Sequence, residues 1–275
     1  GCVLPVTDKL NSLRALLKGY ESCLVAYSGG VDSVLLSVIA YEQLGDKMLA
    51  VIADSPSLPR RELSEAQAIA DQFMFPIHVL NTYEFENSDY SSNPTNRCYH
   101  CKHELFSHME KLATDHDMNV IAYGENSSDL GDWRPGAQAA GKFNVSSPLK
   151  EVGLLKDEIR QLSAELGLPT AWKPQMPCLS SRIPYGQPVT TEKVGMIEAA
   201  EYLLKDMGFN DVRVRHHEIG PVAWIEVMPE QLDLLRSKET FEAVQASFTK
   251  VGYAEVKVDR KGYRRGSLNP SEVKS

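Results

Sequence analysis

The sequence predicts an α/β protein: a doubly wound parallel sheet with a second, smaller α+β domain. Three observations carry this reading. Over the first 165 residues short apolar runs alternate with helical stretches, the pattern of a parallel sheet with right-handed crossovers. A stretch from Leu168 to Val189 then contains Pro169, Pro174, Pro177, Pro184 and Pro188, too many for a helix or an inner strand. Beyond it the order changes to helix, strand, strand, helix, strand. The domains are accordingly expected at residues 1–167 and 190–275, with a Pro-rich connector at 168–189.

The expected strands of the first domain are Leu24–Tyr27, Met48–Ala53, Ile77–Leu80, Val120–Tyr123 and Asn144–Ser147. Each is short, apolar and bounded by polar or turn residues, as strands buried on both faces should be. Between them Ser33–Leu44, Arg60–Gln72, Cys98–Asp117 and Lys156–Leu166 read as helices. In such sheets ligands bind at the carboxyl ends of the strands, here the loops after Tyr27, Ala53 and Tyr123. In the second domain the expectation is helix Thr191–Met207, strands Val212–His216 and Val222–Val227, helix Glu230–Thr249 and strand Ala254–Val258. No internal repeat or low-complexity tract interrupts this order.

Composition narrows the function classes. Of 275 residues 43% are hydrophobic, which excludes wholesale disorder. No apolar run reaches the roughly 18–20 residues of a membrane helix, and Gly1 to Arg14 lack the charged start and apolar block of a secretory signal. The expectation is a cytoplasmic protein without a membrane partner. The net charge of −8 argues against nucleic acid as the main partner, because proteins on a phosphate backbone carry an excess of Lys and Arg. Only the stretch from Lys257 to Lys274 concentrates basic residues, six against Asp259 and Glu272, and it reads as a solvated terminus. Five cysteines, Cys2, Cys23, Cys98, Cys101 and Cys178, are too few for a disulfide scaffold. Cys23 lies inside an apolar run and reads as core.

The chemistry is carried first by Tyr27-Ser28-Gly29-Gly30-Val31-Asp32-Ser33. The string follows the first strand and opens the first predicted helix. Two glycines allow a tight turn and close approach of a ligand. The unpaired amides of the helix start favour an anion, and Ser28 and Ser33 add hydroxyls. The result is a phosphate cradle, without the Walker pattern.

Ser-Gly-Gly-x-Asp-Ser after a first strand resembles the PP-loop of the ATP pyrophosphatase superfamily, whose fold is adenine nucleotide α-hydrolase-like. The resemblance implies cleavage of ATP between the α and β phosphates and adenylation of a substrate oxygen. It assigns Ser28, Gly29, Gly30, Asp32 and Ser33 to the pyrophosphate end and Mg²⁺, with Asp54 near the nucleoside. Further strings resemble one subgroup, the LarE-type sacrificial sulfur transferases. They are Asn96-Arg-Cys-Tyr-His-Cys-Lys102, Gly124-Glu-Asn-Ser-Ser-Asp129 with Asp132-Trp-Arg-Pro-Gly136, Met176-Pro-Cys-Leu-Ser-Ser-Arg182 with Pro184-Tyr-Gly186, Val212-Arg-Val-Arg-His-His217 and Gly262-Tyr-Arg-Arg-Gly-Ser-Leu-Asn269. They span nearly the whole chain in the order that family has them.

That resemblance implies ATP-dependent adenylation of a carboxylate of pyridinium-3,5-biscarboxylic acid mononucleotide. A cysteine, here Cys178, displaces AMP and gives up its sulfur, leaving a thiocarboxylate and a dehydroalanine, in nickel-pincer cofactor biosynthesis. ATP and Mg²⁺ are the implied cofactors, and a homo-oligomer the implied assembly. Chemically, a Pro-flanked cysteine near Lys173 and Arg182 suits a reactive thiolate. Arg213 and Arg215 alternate on a strand and share a face, where two forks can grip a phosphate; the resemblance makes it the substrate's. Arg97, Tyr99 and Lys102 offer two cations and a ring to the ligand. Gly124, Glu125, Asn126, Asp129 and Arg134 lie by topology at the rim of the expected cleft, Gly124 on the ATP side and Asp129 on the substrate side. Ser181 and Arg182 join the substrate set. The sequence does not single out the base that takes the Cα proton of Cys178; Glu201, Glu226 and Glu230 are candidate carboxylates of the small domain, and Glu201 and Glu230 join Asp32 as candidate cation ligands.

Cys98-Tyr-His-Cys101 leaves alternatives open: half a zinc site, a redox pair, or part of an iron–sulfur site. Catalytic sulfur transfer with a cluster of Cys98, Cys101 and Cys178 is one rival, a tRNA-thiolating PP-loop enzyme another. An ammonia-using ligase and a non-catalytic nucleotide-binding regulator are weaker rivals.

Overall fold

The computed structural model describes residues 4–129 and 135–262. Cys2, Arg134 and most of the Gly262–Asn269 string lie outside these residues, as does the basic tail beyond Gly262. In chain order the elements are α1 (Val6–Tyr20), β1 (Cys23–Ala26), α2 (Val31–Leu44), β2 (Met48–Asp54), α3 (Arg60–Phe73), β3 (Ile77–Asn81), α4 (Ser88–Ser91), α5 (Arg97–Asp115), β4 (Val120–Ala122), α6 (Pro135–Lys142), α7 (Pro148–Glu151) and α8 (Lys156–Glu165). Then follow α9 (Thr191–Asp206), β5 (Arg213–His217), β6 (Val222–Glu226), α10 (Leu232–Arg236), α11 (Lys238–Val251) and β7 (Glu255–Val258).

The chain forms two compact units. The first comprises the chain up to Ser55, Arg60–Glu84 and Cys98–Met176; the second comprises Pro56–Pro59, Phe85–Arg97 and the chain from Pro177 onward. The first unit is the α/β layer the sequence predicts. Its parallel sheet has the order β3-β2-β1-β4. The chain reverses its winding between β1 and β4, so their carboxyl ends form the switch point where such sheets bind ligands. Leu24, Val51 and Ile121 of the sheet pack with Leu105, Phe106 and Met109 of α5 and with Ala139 and Ala140 of α6.

This unit differs from expectation in one strand and three helices. Asn144–Ser147 is not a fifth strand: only Ser146 bridges Ala122. Asn144 has a φ of 54° and Pro148 starts α7 two residues after the bridge, so the chain has no room to extend. The helices α1, α6 and α7 are additions to the expected set, and α1 is the longest of them. In α1, Leu10, Leu13 and Leu17 are buried on one stripe, at helical spacing.

The second unit is the predicted α+β fold. Its three-stranded sheet has the order β5-β6-β7, antiparallel then parallel. Val212, Val214, Ala223 and Ile225 pack against Leu204 of α9 and Val244 and Phe248 of α11. The expected single helix Glu230–Thr249 is broken. A 3₁₀ turn at Pro229–Gln231 and the short α10 precede α11, because Ser237 takes an extended ψ of 142° and caps the second piece.

Local chemistry explains why the two inserted segments belong here. Asn93, fully buried, adopts a φ of 61°, a conformation asparagine tolerates. From there its side-chain amide donates to the carbonyls of Ile183 (3.1 Å) and Pro184 (2.9 Å). Ser57 is held by Leu179, whose amide donates to the Ser57 carbonyl at 2.9 Å. Among the described residues no helix is long and apolar enough to cross a membrane.

Candidate active site

In the first unit the loop between β1 and α2 is pre-shaped. Gly29 has a φ of 79°, and a Cβ there would meet the Ala66 methyl at 2.9 Å, so both the backbone and the space require glycine. The Ser33 hydroxyl accepts from the Ser28 amide at 3.0 Å and lies 3.1 Å from the Ser28 hydroxyl. The Gly30 amide donates to the Ser28 hydroxyl at 3.3 Å. The Lys173 ammonium donates to the Gly29 carbonyl at 3.4 Å while pairing with Glu62 at 2.7 Å and Glu65 at 3.4 Å.

The loop after β4 closes on the start of α2. A Cβ on Gly124 would lie 3.0 Å from the Asp32 Cβ and 3.1 Å from the Ser33 amide nitrogen, so only glycine permits that approach. Asn126 donates to Asp32 Oδ2 at 3.3 Å, and Lys156 donates to the same oxygen at 2.7 Å. Asp129 accepts from the Asn126 amide at 3.0 Å. Burial pushes the Asp32 carboxyl above its ordinary value; Lys156 opposes the rise, Asp129 adds to it and Asn126 opposes it. Asp32 Oδ1 is buried without a hydrogen-bond partner among the described residues. A buried carboxylate oxygen left in this state needs a partner, and a hard cation such as Mg²⁺ accompanying phosphates fits it.

In the second unit Cys178 caps a short 3₁₀ turn, Leu179–Arg182, and is half-buried. Burial opposes ionisation of its thiol. The Arg97 guanidinium, the Ser57 hydroxyl, the Arg182 guanidinium and the Ser181 amide outweigh burial and pull the thiol below its ordinary pKa. Each cation is fixed. Arg97, 3% exposed, donates to Asn93 Oδ1 at 2.7 Å and to the Ser180 carbonyl at 3.2 Å. Its guanidinium lies over the Tyr185 ring. Arg182, 1% exposed, forks onto Glu201 at 2.9 and 3.1 Å and donates to the carbonyls of Pro177 and Cys178, both at 3.3 Å. Ser181 donates to the Cys178 carbonyl at 2.6 Å. Arg215 donates to the Ser181 carbonyl at 2.9 Å and forks onto Glu226 at 3.1 and 3.3 Å. A thiolate held by two fixed guanidiniums is a prepared nucleophile.

No protein-family model matches the chain. Curated proteins do. Over 262 residues the chain is 42% identical to an uncharacterised protein of Synechocystis sp., covering 95% of this chain and 97% of that one. It is 31% identical over 274 residues to pyridinium-3,5-bisthiocarboxylic acid mononucleotide synthase of Lactiplantibacillus plantarum, covering 98% and 97%. The chain belongs to the pyridinium-3,5-bisthiocarboxylic acid mononucleotide synthase family. A more distant likeness, 29% over 177 residues, joins 55% of the chain to 33% of a glutamine-hydrolysing GMP synthase of Nitratiruptor sp..

Within this family member the sequence-predicted residues fall into separate local groups. Ser28, Gly29, Gly30, Asp32, Ser33, Gly124 and Asp129 meet at the ends of β1 and β4. The Asp54 carboxylate, at the end of β2, is held by Arg60. Tyr99 and Lys102 lie on α5; the Tyr99 ring stands 5.4 Å from that of His100, and the Lys102 stem lies against Gly136. Around Cys178 the second unit gathers Arg97, Ser181, Arg182, Glu201, Arg215 and Glu226. Arg213 is buried and donates to Asp211 at 2.7 Å; Glu230 is exposed in the Pro229–Gln231 turn. Among the described residues no group of three or more His, Cys, Asp or Glu side chains is arranged to hold a metal ion.

Sequence reasoning missed Lys156, Ser57, Tyr90, Asn93 and Ser180. Ser180 stood inside a quoted motif. Ser57 and Tyr90 carry no local signal, since each is brought to Cys178 by chain folding alone. Lys173 was expected beside the thiol; the cations acting on Cys178 are Arg97 and Arg182, whereas Lys173 serves Glu62, Glu65 and the Gly29 carbonyl.

Proposed function

We propose that this protein is an ATP-dependent sulfur transferase of nickel-pincer cofactor biosynthesis, acting on pyridinium-3,5-biscarboxylic acid mononucleotide. The observation that carries the reading is Cys178, a half-buried thiol whose pKa Arg97 and Arg182 pull below its ordinary value, in a chain 31% identical along its length to the bisthiocarboxylic acid mononucleotide synthase. The phosphate loop of Ser28, Gly29, Gly30 and Ser33 holds the β and γ phosphates, with Gly124 letting the facing loop close. Asp54 takes the nucleoside side. Asp32, fixed by Lys156, would hold Mg²⁺, which would supply positive charge at the phosphates. Glu201, engaged by Arg182, and the exposed Glu230 are not part of this cation's set.

The substrate carboxylate attacks the α phosphorus and pyrophosphate leaves. The Cys178 thiolate then attacks the acyl carbon and AMP leaves, giving a thioester. A base removes the Cα proton of Cys178, and the electron pair expels sulfur from Cβ. The products are the substrate thiocarboxylate and dehydroalanine at position 178. Arg213 and Arg215 are assigned to the substrate phosphate, and Arg97, Tyr99, Lys102, Asp129, Ser181 and Arg182 to the rest of the substrate.

The test is incubation with ATP, Mg²⁺ and the mononucleotide, without another sulfur source. AMP, pyrophosphate and a thiocarboxylate should form together, and the thiocarboxylate should vanish in Cys178→Ser while adenylation persists. Thiocarboxylate formed by Cys178→Ser would overturn the reading.

A further inference from the structure

We propose that the hydroxyls of Tyr90, Ser180 and Ser57 form a one-directional hydrogen-bonded relay that ends on the Cys178 sulfur and holds it ready for attack. The inference rests on the reading of Cys178 as the nucleophile and adds residues that reading does not contain. Ser57 is seated on the turn that follows the reacting sulfur, its carbonyl accepting from the Leu179 amide at 2.9 Å and its hydroxyl from the Ser180 amide at 3.1 Å; Ser180 and Tyr90 act through it as positioning residues.

The geometry supplies the chain of contacts, and the proposed donation to sulfur supplies its direction. The Tyr90 hydroxyl lies 2.7 Å from Ser180 Oγ, and Ser180 Oγ lies 2.8 Å from Ser57 Oγ. Ser57 Oγ also accepts from the Ser180 amide at 3.1 Å. All three residues are at most 4% exposed. A hydroxyl has one proton to donate and two lone pairs. The Ser57 hydroxyl pulls the Cys178 thiol below its ordinary pKa, which donation of its single proton to the sulfur explains. The short contact to Ser180 Oγ must then be a donation from Ser180, and the Tyr90 contact a donation from Tyr90. Both lone pairs of Ser57 are filled, one by the Ser180 amide and one by its hydroxyl. Successive donation in one sense polarises each member toward the sulfur.

The charged groups around this sulfur are also fixed. Arg97 stands on the side of Asn93 and the Ser180 carbonyl. Arg182 is neutralised by Glu201 from α9. Arg215 and Glu226 of the sheet pair with each other and reach the Ser181 carbonyl. The two nearer guanidiniums attract the thiolate from any direction. The relay supplies what they lack, a directed donor that aims the lone pairs.

The test needs neither ATP nor substrate. The rate of iodoacetamide alkylation at Cys178 is followed against pH in the full chain, reading the peptide with Cys178 separately from those with Cys98 and Cys101. In Ser57→Ala the midpoint should rise by about one pH unit, the shift expected for losing a hydrogen bond to a charged group. The plateau rate should rise as well, because a more basic thiolate is a stronger nucleophile. Ser57→Thr, which keeps the hydroxyl, should stay at the wild-type midpoint. Tyr90→Phe keeps the ring, 5.3 Å from Phe85, and should shift the midpoint in the same direction by less. Unchanged midpoints in Ser57→Ala and Tyr90→Phe, or a Ser57→Thr midpoint as high as that of Ser57→Ala, would overturn the relay. These outcomes stand apart from the donor role, which is read by sulfur transfer in turnover and not by alkylation.

Discussion

Asp32 combines a fixed Lys156 partner on one oxygen with an orphaned, buried second oxygen. Asp32→Asn should therefore lower the rate of AMP formation by at least about 100-fold, the scale of losing one preorganised charge contact, with little loss of stability. AMP release measured with the mononucleotide present checks this, and near-normal release would remove Asp32 from the site. Gly124→Ala should act similarly from the other side, because its Cβ would stand 3.0 Å from that of Asp32. His216 makes a different prediction, about stability. Burial, with Lys193 and His217, lowers its pKa from 6.5 to about 4, while Glu218 opposes the shift, and its Nδ1 lies 2.9 Å from the Tyr253 hydroxyl. The folded state keeps this imidazole neutral while the unfolded chain takes up a proton below 6.5. The stabilisation is thus full above pH 6.5 and lost as pH falls toward 4. By linkage it amounts to about 2 kcal/mol between pH 7 and pH 5. Urea midpoints at the two pH values should differ more in the wild type than in His216→Gln; equal differences would place the pH dependence elsewhere.

The short 3₁₀ turn at Leu179–Arg182 owes its place to partners supplied by other elements. Arg182 is clamped by Glu201 of α9, and Glu201 Oε2 also accepts from the Val214 amide of β5 at 3.4 Å. Removing one member of such a buried pair leaves a charge without compensation and costs about 3–5 kcal/mol. Glu201→Gln should show that loss in denaturant unfolding, together with a changed pH profile of Cys178 alkylation. A loss below about 1 kcal/mol would mean the pair does not anchor the turn. Elements with strong periodicity were legible in the sequence: β1, β2 and α3 fall within a residue of expectation, because buried apolar runs and polar boundaries coincide there. Breaks were less legible. The interruption at Ser237 depends on one residue's extended backbone within a continuous helical pattern. The Asn144–Ser147 run is apolar enough for a strand but is cut short by Asn144 and Pro148, whose backbone demands override the pattern. The stripe of Leu10, Leu13 and Leu17 was a signal present in the sequence and left unread.

At the scale of the whole chain, the fold class could be read in order, since a phosphate loop announces a parallel sheet and the later helix–strand–strand pattern a second, smaller one. The exchange of Pro56–Pro59 and Phe85–Arg97 into the second unit could not, because it depends on the carbonyls and amides that Asn93 and Ser57 satisfy. For the same reason the thiol's neighbours were only half legible. Arg182 is adjacent in sequence, whereas Arg97, Ser57 and Tyr90 reach Cys178 only through the fold. The central claim is that this thiol gives up its own sulfur. It is tested most directly by mass spectrometry of the chain after incubation with ATP, Mg²⁺ and the mononucleotide, without added sulfur. The account predicts that the intact chain loses the mass of one H₂S, that the loss maps to Cys178 in the peptide from Met176 to Arg182, and that it needs ATP. Thiocarboxylate formed while Cys178 keeps its full mass would contradict it.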